Sequence, residues 1–369
     1  MKRDVALRVL GDIMAWDDEA ARKEFAWLNL MSRMKYDGYR DFLAGVRFVE
    51  SLVDWLQQFD PSERRAAYAF VRSHLVYVGP SEMQHLVDLV YPENVRRRLA
   101  SAVAARAGIP THLLWARPDG VQRFRSLLRR TLFLGLSDGA RIDGFRRVNV
   151  GLISNEQVVM GSQLDREKWD SLLDELRKDE QDPTAQFEFA YLIDDFVGSG
   201  KTLFRKKSSG GWTGKLWKFR THIRDVRTTH FAPQLTVCVH HYIASHAASL
   251  NVVQRRDEAT AELGDQWFPR NSLHFSFGTV LPADLPVDDA RFGEFMKLVQ
   301  KYYDPAVESR HTDIGETPDV RLGFGNCALP LILEHNTPNN SVALLWADTD
   351  GLNGQHAMRP LFRRRQRHV

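Results

Sequence analysis

"YLIDDFVGSGKT", Tyr191 to Thr202, decides how this chain is read. An apolar run stops at two adjacent carboxylates, Asp194 and Asp195, and a loop of small residues leads to Lys201 and Thr202. A Gly-x-x-x-x-Gly-Lys-Ser/Thr phosphate loop would need a glycine where the chain has Asp195. The dinucleotide fingerprint also fails, because Gly198-Ser199-Gly200 is not followed by a third glycine at the required step. The remaining reading places the acids at the carboxyl end of a buried parallel strand, facing the crevice where α/β proteins bind ligands.

Two carboxylates in that place can accept hydrogen bonds from a vicinal diol, such as two ring hydroxyls of ribose. The loop Val197, Gly198, Ser199, Gly200, Lys201 and Thr202 is expected to enter a helix. Its backbone N–H groups, with the Ser199 and Thr202 hydroxyls, would then form an anion cup. Small residues let the backbone approach a ligand closely. A diol clamp beside a phosphate cup describes a ribose 5-phosphate.

Composition sets the frame. With 369 residues, 43% hydrophobic and 26% charged, the chain has the make-up of a soluble globular protein of one large or two ordinary domains. A net charge of +3 does not by itself imply a nucleic-acid partner. Cys238 and Cys327 sit in apolar stretches and read as reduced core thiols. The amino-terminal stretch lacks a signal-peptide apolar core, and no apolar run approaches the roughly 18 residues of a membrane span. The expectation is a cytoplasmic protein with no membrane partner.

The patterning changes along the chain. Residues from about 15 to 108 read as helices, with Phe42, Val46, Val49, Leu52, Val53 and Leu56 on one stripe. Asp60, Pro61 and Glu63 look like the cap, first turn and capping partner of a helix. After Gly108, apolar strands alternate with helices: "TLFLGL", "REKWDSLLDELRKDE", "FEFAYLID", "QLTVCVHHYIAS", "HAASLNVVQRRDEATAEL" and "LHFSFGTVLP". Strands apolar on both faces, alternating with helices, predict a mostly parallel sheet covered on both sides. "DARFGEFMKLVQKYY" reads as a further helix, and "KKSSGGWTGK", Lys206 to Lys215, as a flexible insertion.

The run from Leu192 to Thr202 resembles the phosphoribosyl-pyrophosphate motif of type I phosphoribosyltransferases: apolar pair, two acids, apolar pair, two small residues, Gly, any residue, Thr. The chain departs from it at Gly198, where threonine is common. The resemblance implies a pyrophosphate loop after an earlier strand, for which Ser137, Asp138, Gly139, Ala140 and Arg141 are placed. It implies Mg²⁺ as cofactor, with Asp194 and Asp195 as candidate ligands, and assigns Asp194, Asp195 and Arg141 to the catalytic set. Arg146 and Arg147 can add charge or be solvated, and Asn155 to Asp165 is a candidate mobile loop. A hood around 321–350 would read the nucleobase or other acceptor through Asn336, Asn339, Asn340 and Trp346. Together, "LFLGLSDGARIDGFRR", "IDDFVGSGKT", "GGWTGK" and "HNTPNNSVALLW" resemble the phosphoribosyltransferase-like family associated with prokaryotic conflict and anti-phage systems.

The expected architecture is a phosphoribosyltransferase-like, Rossmann-like α/β domain over 109–369, preceded by a helical accessory region over 1–108. The expected function is binding of phosphoribosyl pyrophosphate or a nucleotide, with transfer or hydrolysis at ribose C1, in a defence system that supplies a protein partner. The alternative is a catalytically silent nucleotide-sensing or scaffold subunit. His240 and His241 face opposite sides of a strand, which disfavours a shared metal. The arginines at 96–98 and "RRRQR" at the carboxyl end leave a weaker case for nucleic acid.

Overall fold

The structure is a computed structural model that describes residues 3–40, 42, 47–308, 310–351 and 356–364. The chain divides into two compact units, one of Gln84–Leu281 and one of Met1–Met83 with Pro282–Val369.

The first of these carries a five-stranded, all-parallel sheet among the described residues: β1 (Thr131–Gly135), β2 (Val158–Val159), β3 (Phe187–Val197), β4 (Phe231–Ala244) and β5 (Leu273–Val280). Their spatial order is β2-β1-β3-β4-β5. The expected parallel α/β architecture is therefore present. β3 is central because its apolar run tolerates burial on both faces. Ala190 and Leu192 join Leu132, Leu134, Val237 and Val239 on one face, against Trp169, Leu172 and Leu176 of the helix Arg166–Glu180. On the other, Tyr191 stacks on Phe133 at 5.6 Å, and Phe133 meets Phe145 at 5.0 Å.

In this strand order the chain winds one way from β1 to β2 and the other way from β3 onward. The crevice between the carboxyl ends of β1 and β3 is thus the topological switch point, where open α/β sheets bind ligands. Gly135 pairs with Ile193, so the loops after both strands start at the same level.

The other unit holds the helices Arg3–Met14, Asp18–Met34, Phe48–Gln57, Arg64–His74 and Asp289–Lys301, and a parallel pair of short strands, Val76–Val78 with Leu331–Leu333. Val49, Leu52, Val53 and Leu56 are buried as their spacing predicts, Phe42 is half-buried, and Val46 lies outside the described residues. Trp55 Nε1 donates to the Leu344 carbonyl at 2.7 Å, so the amino-terminal helices and the carboxyl-terminal segment share one core. The division of the chain accordingly falls after residues 83 and 281, not after 108, and the helix Arg96–Ala107 packs with Pro118–Arg129 beside the sheet.

One helix start differs from expectation. The helix begins at Arg64, because the side chains proposed to cap it are engaged elsewhere. Lys301 Nζ binds Asp60 at 2.7 Å and Glu63 at 2.9 Å, and the Tyr302 hydroxyl donates to Glu63 at 2.6 Å.

Leu192 is fully buried in the sheet's larger core. Leu192→Ala is expected to lower unfolding free energy by about 2–5 kcal/mol, read from urea denaturation followed by circular dichroism.

Candidate functional site

The site begins with a carboxylate that the fold removes from water. Asp194 is 2% exposed near the end of β3, in register with His241 of β4. The Ser137 hydroxyl, arriving from the loop after β1, donates to Asp194 Oδ1. Lys215 Nζ lies 2.5 Å from Asp194 Oδ2. The Asp195 backbone N–H also donates to Oδ1, at 3.2 Å. Burial pushes the Asp194 carboxyl above its ordinary range; the Lys215 ammonium opposes that, and the nearby Asp195 charge adds to the rise. Two of the motif stretches read from sequence are therefore joined by one hydrogen bond across the switch point.

Asp195 is the more accessible acid. Successive side chains of an extended strand point to opposite faces, and β3 stays paired to β4 through Val197. Asp194 pairs with Lys215 and is in register with His241, and the Asp195 charge is felt by both His241 and Tyr242. The Tyr242 hydroxyl donates to the Ala140 carbonyl at 2.7 Å and so ties β4 to the Ser137–Arg141 loop. Burial, then the Asp195 charge, holds that phenol well above its usual value.

The loop Gly198–Thr202 does not lead into a helix. It makes one helical turn, closed by Phe204 N–H to the Gly200 carbonyl at 3.1 Å, and passes into a hairpin of Arg205–Lys206 with Trp212–Thr213. Gly200 has φ +74°, and a Cβ there would meet Arg255 and Val252 at 2.9 Å. Arg255 takes the Ser199 carbonyl at 3.2 Å, and the Ser245 hydroxyl takes the Gly198 carbonyl at 2.5 Å. The loop is thus fixed from behind by the cap and the middle turns of the helix His246–Leu263. Ser199 is buried, Lys201 half-buried and Thr202 exposed.

The stretch read as a flexible insertion is ordered by its tryptophan. Trp212 is buried and stacks on Phe204 at 4.5 Å. Gly214 then turns the chain with φ +122°, so tightly that a Cβ would lie 2.4 Å from the Leu203 carbonyl oxygen. Lys215 and Leu216 donate backbone hydrogen bonds to Thr202 and Leu203 at 3.1 and 3.0 Å, and the helix Lys215–His222 starts there. This return brings Lys215 to Asp194. Sequence reading missed its role; the signal was the Trp-Thr-Gly-Lys order, an apolar anchor and a turn glycine before the cation.

The PRTase-CE family model matches residues 52–364. The chain belongs to that family, which is phosphoribosyltransferase-like. No curated protein and no solved structure matches it. The match begins within the helical amino-terminal region, at residue 52.

Other expected residues fall as follows in this PRTase-CE chain. Ser137 is beside Asp194, Asp138 is exposed, Gly139 and Ala140 are buried, and Arg141 is half-buried with φ +47° at the start of Ile142–Val148. Arg146 and Arg147 both pair with Asp143, at 2.5 and 2.6 Å. In the candidate mobile loop, Val158–Val159 form the edge strand, and Gln157 is anchored to the Leu128 and Thr131 carbonyls. Asn336, Asn339, Asn340 and Trp346 belong to the other unit. There Asn340 donates to the Phe324 carbonyl at 2.8 Å and Trp346 Nε1 to the Ser341 carbonyl at 2.9 Å; Asn336 and Asn339 are half-buried.

His240 and His241 are both buried, and burial lowers them to about 4 and about 3, so both are neutral at physiological pH. Among the described residues no cluster of three His, Cys, Asp or Glu is placed to hold a metal ion, and no helix is long and apolar enough to cross a membrane. Arg97 pairs with Glu93, Arg96 covers Trp115, Arg363 pairs with Asp348 and Arg364 covers Trp346. A cavity of about 540 Å³ lies along the sheet face near Arg98, Tyr191, Thr236, His274 and Ser276. It contains none of the motif-loop residues.

Gly214→Ala is expected to cost about 1–3 kcal/mol through backbone strain alone. Thermal unfolding measures it; an unchanged midpoint would show that the loop reaches Lys215 by another path.

Proposed function

We propose that the switch-point crevice binds phosphoribosyl pyrophosphate or a nucleotide and supports pentosyl transfer or hydrolysis at ribose C1. The observation that carries this reading is the Ser137 to Asp194 hydrogen bond, because it brings the two loops of the motif to one carboxylate. In this proposal Asp194 and Asp195 accept hydrogen bonds from the ribose hydroxyls. Backbone N–H groups of Val197–Thr202, with the Ser199 and Thr202 hydroxyls, hold the 5-phosphate. Ser137–Arg141 hold the diphosphate, with the Arg141 guanidinium supplying its countercharge. As the C1–O bond to pyrophosphate breaks, positive charge develops at C1 and the ring oxygen, and carboxylates fixed nearby stabilise it. A nucleobase, another acceptor or water then attacks C1.

Mg²⁺ fits the donor chemistry. It is bound through one or two carboxylates and substrate phosphates rather than by an all-protein cage, and the crevice offers Asp195 and the exposed Asp138 as hard oxygen donors. When bound, Mg²⁺ neutralises charge on the diphosphate. The part played in an anti-phage system with a protein partner rests on the resemblance of the four motif stretches, and a cytoplasmic location on the make-up of the sequence.

Calorimetric titration of phosphoribosyl pyrophosphate with Mg²⁺ tests the reading. Binding to the parent, and a loss of about 100-fold or more in Asp194→Asn with Asp195→Asn, is the expected result, since two charge-assisted contacts are removed. A folded double variant that binds as well as the parent sinks the assignment. Turnover of ribonucleotides with Mg²⁺ then separates pentosyl transfer from nucleotide sensing without chemistry.

A further inference from the structure

The three arginines at 96–98 do not form one surface patch. Arg96 lies over the Trp115 ring at 4.9 Å, Arg97 is exposed and pairs with Glu93 at 2.5 Å, and Arg98 is half-buried over the sheet. A π turn, Val90–Val95, joins the helix Pro80–Leu89 to the helix Arg96–Ala107 that carries them. Such turns are frequent at functional sites. This one presents Glu93 and Asn94, with Arg98 just beyond, to the cavity of about 540 Å³ on the sheet face.

The sheet supplies the other wall. Phe189 is in register with Thr236, Tyr191 with Cys238, Cys238 with His274, and His240 with Ser276. Side chains alternate along a strand, so all of these share one face. Thr236, His274 and Ser276 line the cavity there, and Tyr191 forms part of its back. Ser276 is held from behind: its Oγ lies 2.9 Å from His240 Nδ1, and His240 is buried and neutral. His240 Nε2 is buried with no protein partner. The tautomer with its proton on Nδ1 leaves no buried N–H unpaired. Ser276 then accepts from the ring, and its own O–H is free to turn into the cavity.

Among the described residues Arg98 makes no ion pair and no hydrogen bond. The carboxylate of the cavity wall, Glu93, is taken by Arg97. The Arg98 charge nevertheless reaches the sheet. It opposes the rise that burial causes at Tyr191 and Cys238, and it adds to the fall that burial causes at His274. A guanidinium held partly out of water with no counter-charge is matched by an oxyanion, whose two oxygens fit its planar fork of donors. Hydroxyls on the facing wall can donate to the same group. The volume lies in the range of small-molecule pockets, so there is room for an organic body beside the charged group.

We propose that this cavity is a second ligand site, for a small organic anion whose phosphate or carboxylate pairs with Arg98 while Ser276 and Thr236 donate to its oxygens. It is separate from the crevice. Asp195, on the same face, stands about 13 Å further along β3 than Tyr191, and the crevice loops do not line the cavity. The site stands whether or not the crevice takes a ribose phosphate. Binding is non-covalent, with no bond made or broken.

Phenyl phosphate and benzoate share a ring and differ in the oxyanion, and benzamide has the ring without the charge. Each is titrated by calorimetry into the full chain with Asp194→Asn and Asp195→Asn, which removes the crevice acids, and into the same chain with Arg98→Met, Arg98→Lys or Ser276→Ala added. At least one of the two anions is expected to bind at millimolar concentration or below, and benzamide is not. Arg98→Met should weaken the anion about 10-fold or more, from loss of a charge-assisted contact. Arg98→Lys keeps the charge without the fork and should weaken it less, as should Ser276→Ala. The anion that binds more tightly identifies the group the site is built for. In the parent, the His274 ring signals followed by NMR should move in step with occupancy of the anion. Binding of neither anion at millimolar concentration, or equal affinity after Arg98→Met, overturns the site. Where Arg98→Met does not fold, anion binding that leaves the His274 signals in place overturns it as well.

Discussion

A carboxylate held out of water between a hydroxyl and an ammonium is the interaction around which the crevice is arranged. A charged group buried without partners would cost several kcal/mol, so Asp194 obliges the chain to bring Ser137 from one strand end and Lys215 from a distant turn. Each partner depends on a second set of contacts. Ser137 is placed by the β1–β3 register and by the Tyr242 bond to Ala140. Lys215 is placed by the strained turn at Gly214 and by the Trp212–Phe204 stack. Removing any of these exposes or orphans the same carboxylate, which is why residues far apart in sequence converge on it.

Topology explains why that convergence happens at this end of the sheet. With the order β2-β1-β3-β4-β5, connections leave β1 and β3 toward opposite faces, and a gap opens between their carboxyl ends. Backbone groups of two loops face that gap. Filling it with side chains would need large residues after β1 or β3, and the chain instead places Ser137, Gly139, Gly198, Ser199 and Gly200 there. Small residues at a switch point keep backbone donors reachable, and membership of the PRTase-CE family agrees with such a use.

Much of this was legible in sequence, and the parts that were not have physical reasons. The helices Arg166–Glu180 and His246–Leu263 have the bounds their periodicity predicts. The two acids and the Ser137 loop were identifiable because strand, acid and small-residue turn are local patterns. Lys215 was not, because it acts through a contact 21 residues back along the chain, across a Ser-Gly-rich turn that reads as mobile until Trp212 is seen to be buried. The Asp60 cap failed for the same cause in reverse: a good local signal lost to Lys301 and Tyr302, which lie more than two hundred residues away and could not be weighed. The domain boundary was misplaced because Gly108 does stop a helix, with φ +64°, but a helix stop says nothing about which core the helix joins. The shared core of Trp55 and Leu344 is a non-local fact.

The adjacency of Asp194 and Asp195 suggests in sequence a pair acting alike, and the strand makes them unlike. Alternation puts the first on the face of the sheet shared with His241, where it pairs with Lys215, and the second on the opposite face. One is buried and paired with Lys215; the other is half-buried, with its Oδ1 accepting from the Phe196 N–H at 2.8 Å. The same two residues, placed on a helix or in an irregular loop, would lack this asymmetry. It comes from the two-residue period of β3, and from a sheet that extends past the acids to Val197 before the chain turns away.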